Sequence, residues 1–141
     1  MKKLAVLFIF LAACHTSGPV ASTVGAGSPE GALTAFIAGA KAQDLQAMGN
    51  VWGDSKHLLR DTEDRASLEK RELILVKLLC EDSHRIVGKQ VGVEGRQILQ
   101  VELKRGAKTS VVKFTTVRGV ADRWYVEDID VVALQEFCSP K

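Results

Sequence analysis

Arg96-Gln97-Ile98-Leu99-Gln100-Val101-Glu102-Leu103-Lys104-Arg105 is the stretch from which the fold can be read. Leu99, Val101 and Leu103 alternate with Gln100, Glu102 and Lys104, the period of two expected of a strand with one dry and one wet face. Gly106-Ala107 turns the chain tightly, and Lys108–Arg118 repeats the alternation. Val112, Phe114 and Thr116 share one face there; Val111, Lys113, Thr115 and Val117 share the other. After a second turn at Gly119–Asp122, Arg123–Val132 is the last strand, with Trp124 and Val126 on one side and Tyr125, Glu127 and Ile129 on the other. Leu134–Cys138 remains as a short tail. Upstream, His84–Val93 is the first strand, interrupted by Gly88 and Gly92. Strands joined by tight turns form an antiparallel meander whose dry face must be covered by helices. The fold class is therefore α+β, with N-terminal helices packed on the meander.

Those helices have their own signals. Ser28 is placed to cap, and Pro29 sits at the first helical position, where its missing N–H is harmless. Ala32, Leu33, Phe36, Ile37 and Ala40 then make one apolar face. Asp44 can cap a second short helix carrying Leu45, Met48, Val51 and Trp52 and ending at Gly53. Trp52 at this spacing reads as core. Asp54–Asp64 is charged and irregular and suits a surface loop. Asp64 caps the next helix, from about Arg65 to Cys80. Glu69, Lys70, Arg71 and Glu72 are its wet turn, while Leu73, Ile74, Leu75, Val76, Leu78 and Leu79 are apolar almost all round, so burial on most sides is expected. A strand is the alternative for this apolar run; its leucines and its continuity with the charged turn favour helix.

Ahead of the domain stands MKKLAVLFIFLAAC, Met1–Cys14. Lys2 and Lys3 precede an unbroken apolar run, Leu4–Leu11, and small residues lead to Cys14, the layout of a secretory signal. The run is too short to span a bilayer, which takes about 20 apolar residues. Leu11-Ala12-Ala13-Cys14 resembles the lipobox of bacterial lipoproteins. The resemblance implies cleavage between Ala13 and Cys14, a thioether-linked diacylglycerol on Cys14, and acylation of the new amino terminus by a fatty acid such as palmitate. An ordinary cleaved signal ending in cysteine is the alternative. His15 follows Cys14 with no aspartate, which by the same resemblance favours the outer membrane, on its periplasmic side. The expected organisation is a signal peptide over 1–13, a lipidated flexible tether over 14–27, rich in small and polar residues, and a single domain over 28–141.

Charge and cysteines bound the function. The chain holds 19 Lys+Arg and 17 Asp+Glu. Removing the signal takes away Lys2 and Lys3, so the mature chain is formally neutral. The apparent pI near 8.5 belongs partly to the signal and is no footprint of nucleic acid. Membrane contact comes from covalent lipid on Cys14. Cys80 and Cys138 are left in an exported, oxidising compartment, which favours a disulfide between them over two buried thiols. No CxxC, zinc-type Cys/His spacing, GxSxG, phosphate-cradling glycine loop or HExxH occurs, so neither metal nor cofactor is expected.

The order of helices before a meander resembles the cone fold of the nuclear transport factor 2-like superfamily, in which an antiparallel sheet curls around covering helices. The residues that carry the likeness are Ser28-Pro29-Glu30 leading to Phe36, then Lys41–Met48, and Arg123-Trp124-Tyr125-Val126. Enzymes of that superfamily, isomerases and cyclases, use a carboxylate or histidine in the cone's mouth as general base; others associate through the open sheet face as homodimers. The side chains available here are His57, Asp61, His84, Asp128, Asp130 and Tyr125. None matches a catalytic motif, so none is assigned a catalytic role. Solvated sheet residues explain Asp128 and Asp130, a loop explains His57, and a structural role explains His84. Asp61, Glu63 and Asp64 could hold a cation, but lack the glycine and distal glutamate of a calcium loop, so capping accounts for them better. The expected function is a lipid-anchored, non-catalytic envelope domain that binds a partner protein or a small apolar ligand. An isomerase or cyclase, and a structural accessory subunit of an envelope complex, are the alternatives. They separate on whether Trp124, Phe114 and Phe36 fill the cone or leave it hollow.

Overall fold

The computed structural model describes residues 23–140. The signal peptide, its cleavage point at Ala13 and the lipid site Cys14 lie outside the described residues. The chain folds as α+β, with helices on a curled four-stranded antiparallel sheet. The elements are α1 (Pro29–Ala42), α2 (Leu45–Gly49), α3 (Leu59–Thr62), α4 (Arg65–Leu78), β1 (Ser83–Val91), β2 (Gln97–Arg105), β3 (Lys108–Arg118), β4 (Trp124–Ile129) and α5 (Val131–Cys138). The sheet order is β1-β2-β3-β4.

Local chemistry sets the helix starts. The Ser28 hydroxyl accepts from Gly31 N at 3.0 Å, Asp44 from Ala47 N at 2.9 Å, and Asp64 from Ser67 N at 3.0 Å. Each satisfies a backbone donor that the first turn leaves without a partner. The folded unit begins before Ser28: Gly25 N donates to Asn50 O, and Ala26 exchanges hydrogen bonds with Trp124. Only glycine fits at position 25, where φ is +71° and a Cβ would lie 2.8 Å from the Tyr125 ring.

The alternation in β2 and β3 holds. Leu99, Val101, Leu103, Val112 and Phe114 are fully buried beneath Phe36 and Ile37 of α1. Two register shifts, at Ile86/Gly88 in β1 and at Thr115/Thr116 opposite β4, curl the sheet. The second corrects the face assignment of the last strand. Glu127 is the extra residue, so Ile129 comes back to pair with Phe114 and joins Val126 in the core, rather than sharing a face with Tyr125. Tyr125 instead packs with Leu58 and Val117 in a small second cluster.

Further expectations are corrected. The last strand ends at Ile129, not Val132. Asp130 caps α5 through Ala133 N at 3.0 Å, so it does not share a strand face with Asp128, and the short tail is a helix whose Leu134 and Phe137 are buried. The second helix stops at Gly49, and Trp52 reaches the core from an extended segment bridged to Val126. The loop before Asp64 contains the single turn α3. Finally, α4 is one-sided: Leu68, Glu72 and Leu75 are buried, while Leu73 and Ile74 are 46% and 48% exposed. A continuous apolar run on a helix places residues all round its axis, but only one side of α4 meets the core. Asp130→Ala should cost about 1 kcal/mol, read as a lower urea midpoint with unchanged slope; an unchanged midpoint would mean α5 is held by its packing and disulfide alone.

Candidate functional site

Two concavities flank α4. The first is a crevice of about 210 Å³ between α4 and the end of β4. Buried Trp52, Leu75 and Ile129 form its floor, and exposed Ile74 and Val131 stand on its rim. Trp52 is fixed edge-on by Phe36, with ring centroids 5.6 Å apart. The Arg71 guanidinium lies 4.9 Å over its ring and pairs with Glu63, an arrangement that places a cation on the aromatic face. Glu127, the bulge residue, is gripped by Arg96, whose Nη2 donates to Oε1 at 2.8 Å. Asp128, also on the crevice, is exposed and makes no ion pair among the described residues.

The second is a groove of about 470 Å³ lined from α2, α3 and α4, with Glu72 on its wall. Glu72 is 5% exposed. Burial, and secondarily the charge of Glu69, pushes its carboxyl up to about 7. Its placement corrects the assignment of Glu72 to a wet turn. Leu68, Glu72, Leu75 and Leu79 recur at helical spacing, and that stripe could have marked Glu72 as buried.

The other candidates are dispersed. His57 is exposed beside Asp54, and Asp61 is exposed beside Arg60. Glu63 serves Arg71 and Asp64 caps α4. Tyr125 is buried, but its hydroxyl donates to the Val120 carbonyl at 3.0 Å, and no carboxylate is bonded to it. His84 Nδ1 lies 3.7 Å from the fully buried carboxylate of Glu81, which faces Lys41 Nζ at 3.2 Å; this cluster ties α1 to the start of β1. Cys80 and Cys138 form a disulfide, with Cα atoms 6.1 Å apart, that fastens α5 beside the end of α4. On the outer sheet face Val87 and Val111 are exposed around the Arg85–Glu102 ion pair. Phe36 and Phe114 are fully buried in the core between the helices and the sheet, and the partly buried Trp124 packs against that same core. Among the described residues, no helix is long and apolar enough to cross a membrane.

Comparison of the chain with protein-family models, with curated proteins and with solved structures finds no match. The fold is that of an α+β domain with a curled antiparallel sheet, and its two concavities are the candidate sites.

Proposed function

We propose that this chain is a bacterial lipoprotein, held at the periplasmic side of the outer membrane by lipid on Cys14, whose cone domain of nuclear transport factor 2-like type binds a partner protein. The observation that carries the binding reading is the Trp52 crevice. At about 210 Å³ it is smaller than the roughly 300–1,000 Å³ usual for small-molecule sites; it suits one apolar side chain presented by another protein. An aromatic floor, rimmed by Ile74 at 48% and Val131 at 38% exposure, is the kind of pocket an interface anchor fills. The packing of Phe36 and Phe114 speaks against a hollow isomerase or cyclase cavity. The anchor reading rests on Leu11–Cys14; several acyl chains give stable attachment where one is marginal.

Two experiments test this. Cys14→Ser should move the protein from the membrane to the soluble periplasmic fraction and abolish fatty-acid labelling; persistence in the membrane overturns the anchor. A photo-crosslinking residue at Ile74 in intact cells should yield one discrete product that Val131→Asp abolishes, and the same probe at exposed Val91 should not. Equal labelling from both positions, or none from Ile74, overturns the docking role of the crevice.

A further inference from the structure

α4 presents one carboxylate on its buried stripe, and nothing in the described protein bonds to it. Glu72 is 5% exposed, lines the 470 Å³ groove, and has no hydrogen-bond donor or ion-pair partner among the described residues. Burial of the side chain makes its charge costly, and its oxygens are not sealed off but open onto the groove in front of them. Gly49 keeps that approach clear: a Cβ there would sit 3.3 Å from Glu72 Oε1.

The groove is bipolar. From α4 itself, Glu69 and Arg65 stand on the groove, both exposed; α3 supplies exposed Arg60, while α2 supplies only uncharged groups. Arg60 is turned to Asn50 and Asp61, whereas Arg65 makes no ion pair among the described residues. The charges of α1 are spent elsewhere, Glu30 on Lys89 and Lys41 on Glu81. α5 meets α4 at its far end, where Cys138 lies against Leu78. The one deep charge is therefore the acid Glu72, with Arg60, Arg65 and Glu69 at the mouth.

We propose that this groove binds a small zwitterionic amino compound, with its ammonium group on Glu72 and its anionic end toward Arg65. A ligand of both signs complements a lining of two acids and two bases, and the ammonium supplies the donors that Glu72 lacks. The volume falls within the range of small-molecule sites. Because the free carboxyl ionises near 7, a proton competes with the ligand: affinity should fall about tenfold for each pH unit below 7.

The test is ligand-observed NMR on the full chain in detergent, with three matched probes: L-norvaline, butylamine, which lacks the carboxylate, and pentanoate, which lacks the ammonium. Norvaline should bind at pH 8 and lose about 100-fold in affinity at pH 5. Butylamine should bind more weakly and pentanoate not at all. Glu72→Gln should cost at least tenfold, and Arg65→Gln, at an exposed position that cannot unfold the core, should erase the advantage of norvaline over butylamine. Gly49→Val should block all binding without changing charge. Binding of pentanoate as tight as that of norvaline, equal affinity at the two pH values, retention of binding by Glu72→Gln, or no binding by any probe would overturn the proposal. These readouts are independent of the crevice and of the lipid on Cys14.

Discussion

Replacing Cys80 and Cys138 together by serine lowers the unfolding free energy by about 4 kcal/mol under oxidising conditions, the expected chain-entropy effect of opening a 58-residue separation. In a domain of this size that is a fall in Tm on the order of 15 °C. The bond joins the end of α4 to the last turn of α5, a helix of 8 residues whose Phe137 and Leu134 complete the core. A helix that short has little stability of its own, so the crosslink keeps it docked. Urea unfolding with and without reductant checks this: wild type should lose the same amount on reduction, and the double variant should not respond. Coincident curves for oxidised and reduced wild type would show that the crosslink contributes nothing.

Glu72→Gln makes the domain more stable above neutral pH. In the unfolded chain this carboxyl ionises at its ordinary value near 4.5, whereas in the folded protein it keeps its proton up to about 7. Between those values the native state binds more protons than the unfolded state, so stability from this group is full below pH 4.5, declines as pH rises to 7, and stays lost above it. At 1.36 kcal/mol per pH unit the loss comes to about 3 kcal/mol. Glutamine has the shape of the neutral acid and no titration. The variant's curve should therefore run level with wild type near pH 4.5 and above it by about 3 kcal/mol at pH 8. The difference between the two curves isolates Glu72 from every other titrating group. Parallel curves from pH 4.5 to 8 would show that the carboxyl is solvated after all.

Both effects arise at positions whose residue types were plain in the sequence and whose surroundings were not. The period of two in Gln97–Arg105 and Lys108–Arg118 fixed two strands to within a residue, because side chains on a regular strand alternate between its two faces. The caps Ser28, Asp44 and Asp64 fixed three helix starts, because the chemistry of a cap is local. The bulge at Glu127 was not legible, since an inserted residue is defined by the register of the partner strand. With it went the faces of Ile129 and Asp128, and the recognition of Asp130 as the cap of α5.

For the candidate site the division is sharper. Sequence reasoning assembled Asp61, His57, Asp128, Asp130 and Tyr125 as possible chemistry, and the fold scatters them: capped, paired, exposed or bonded to backbone. It assigned Glu72 to a wet turn because its neighbours Glu69, Lys70 and Arg71 are polar. What the sequence by itself determined is the α+β class, the order of the strands in the meander and three of the helix starts, all carried by local patterns of residues. Which side of α4 faces the core, where the crevice and the groove open, and that Glu72 lies on the buried side with its carboxylate toward the groove were decided by tertiary structure alone. Burial depends on which distant elements pack against a residue, and the period of a helix states only which residues share a side.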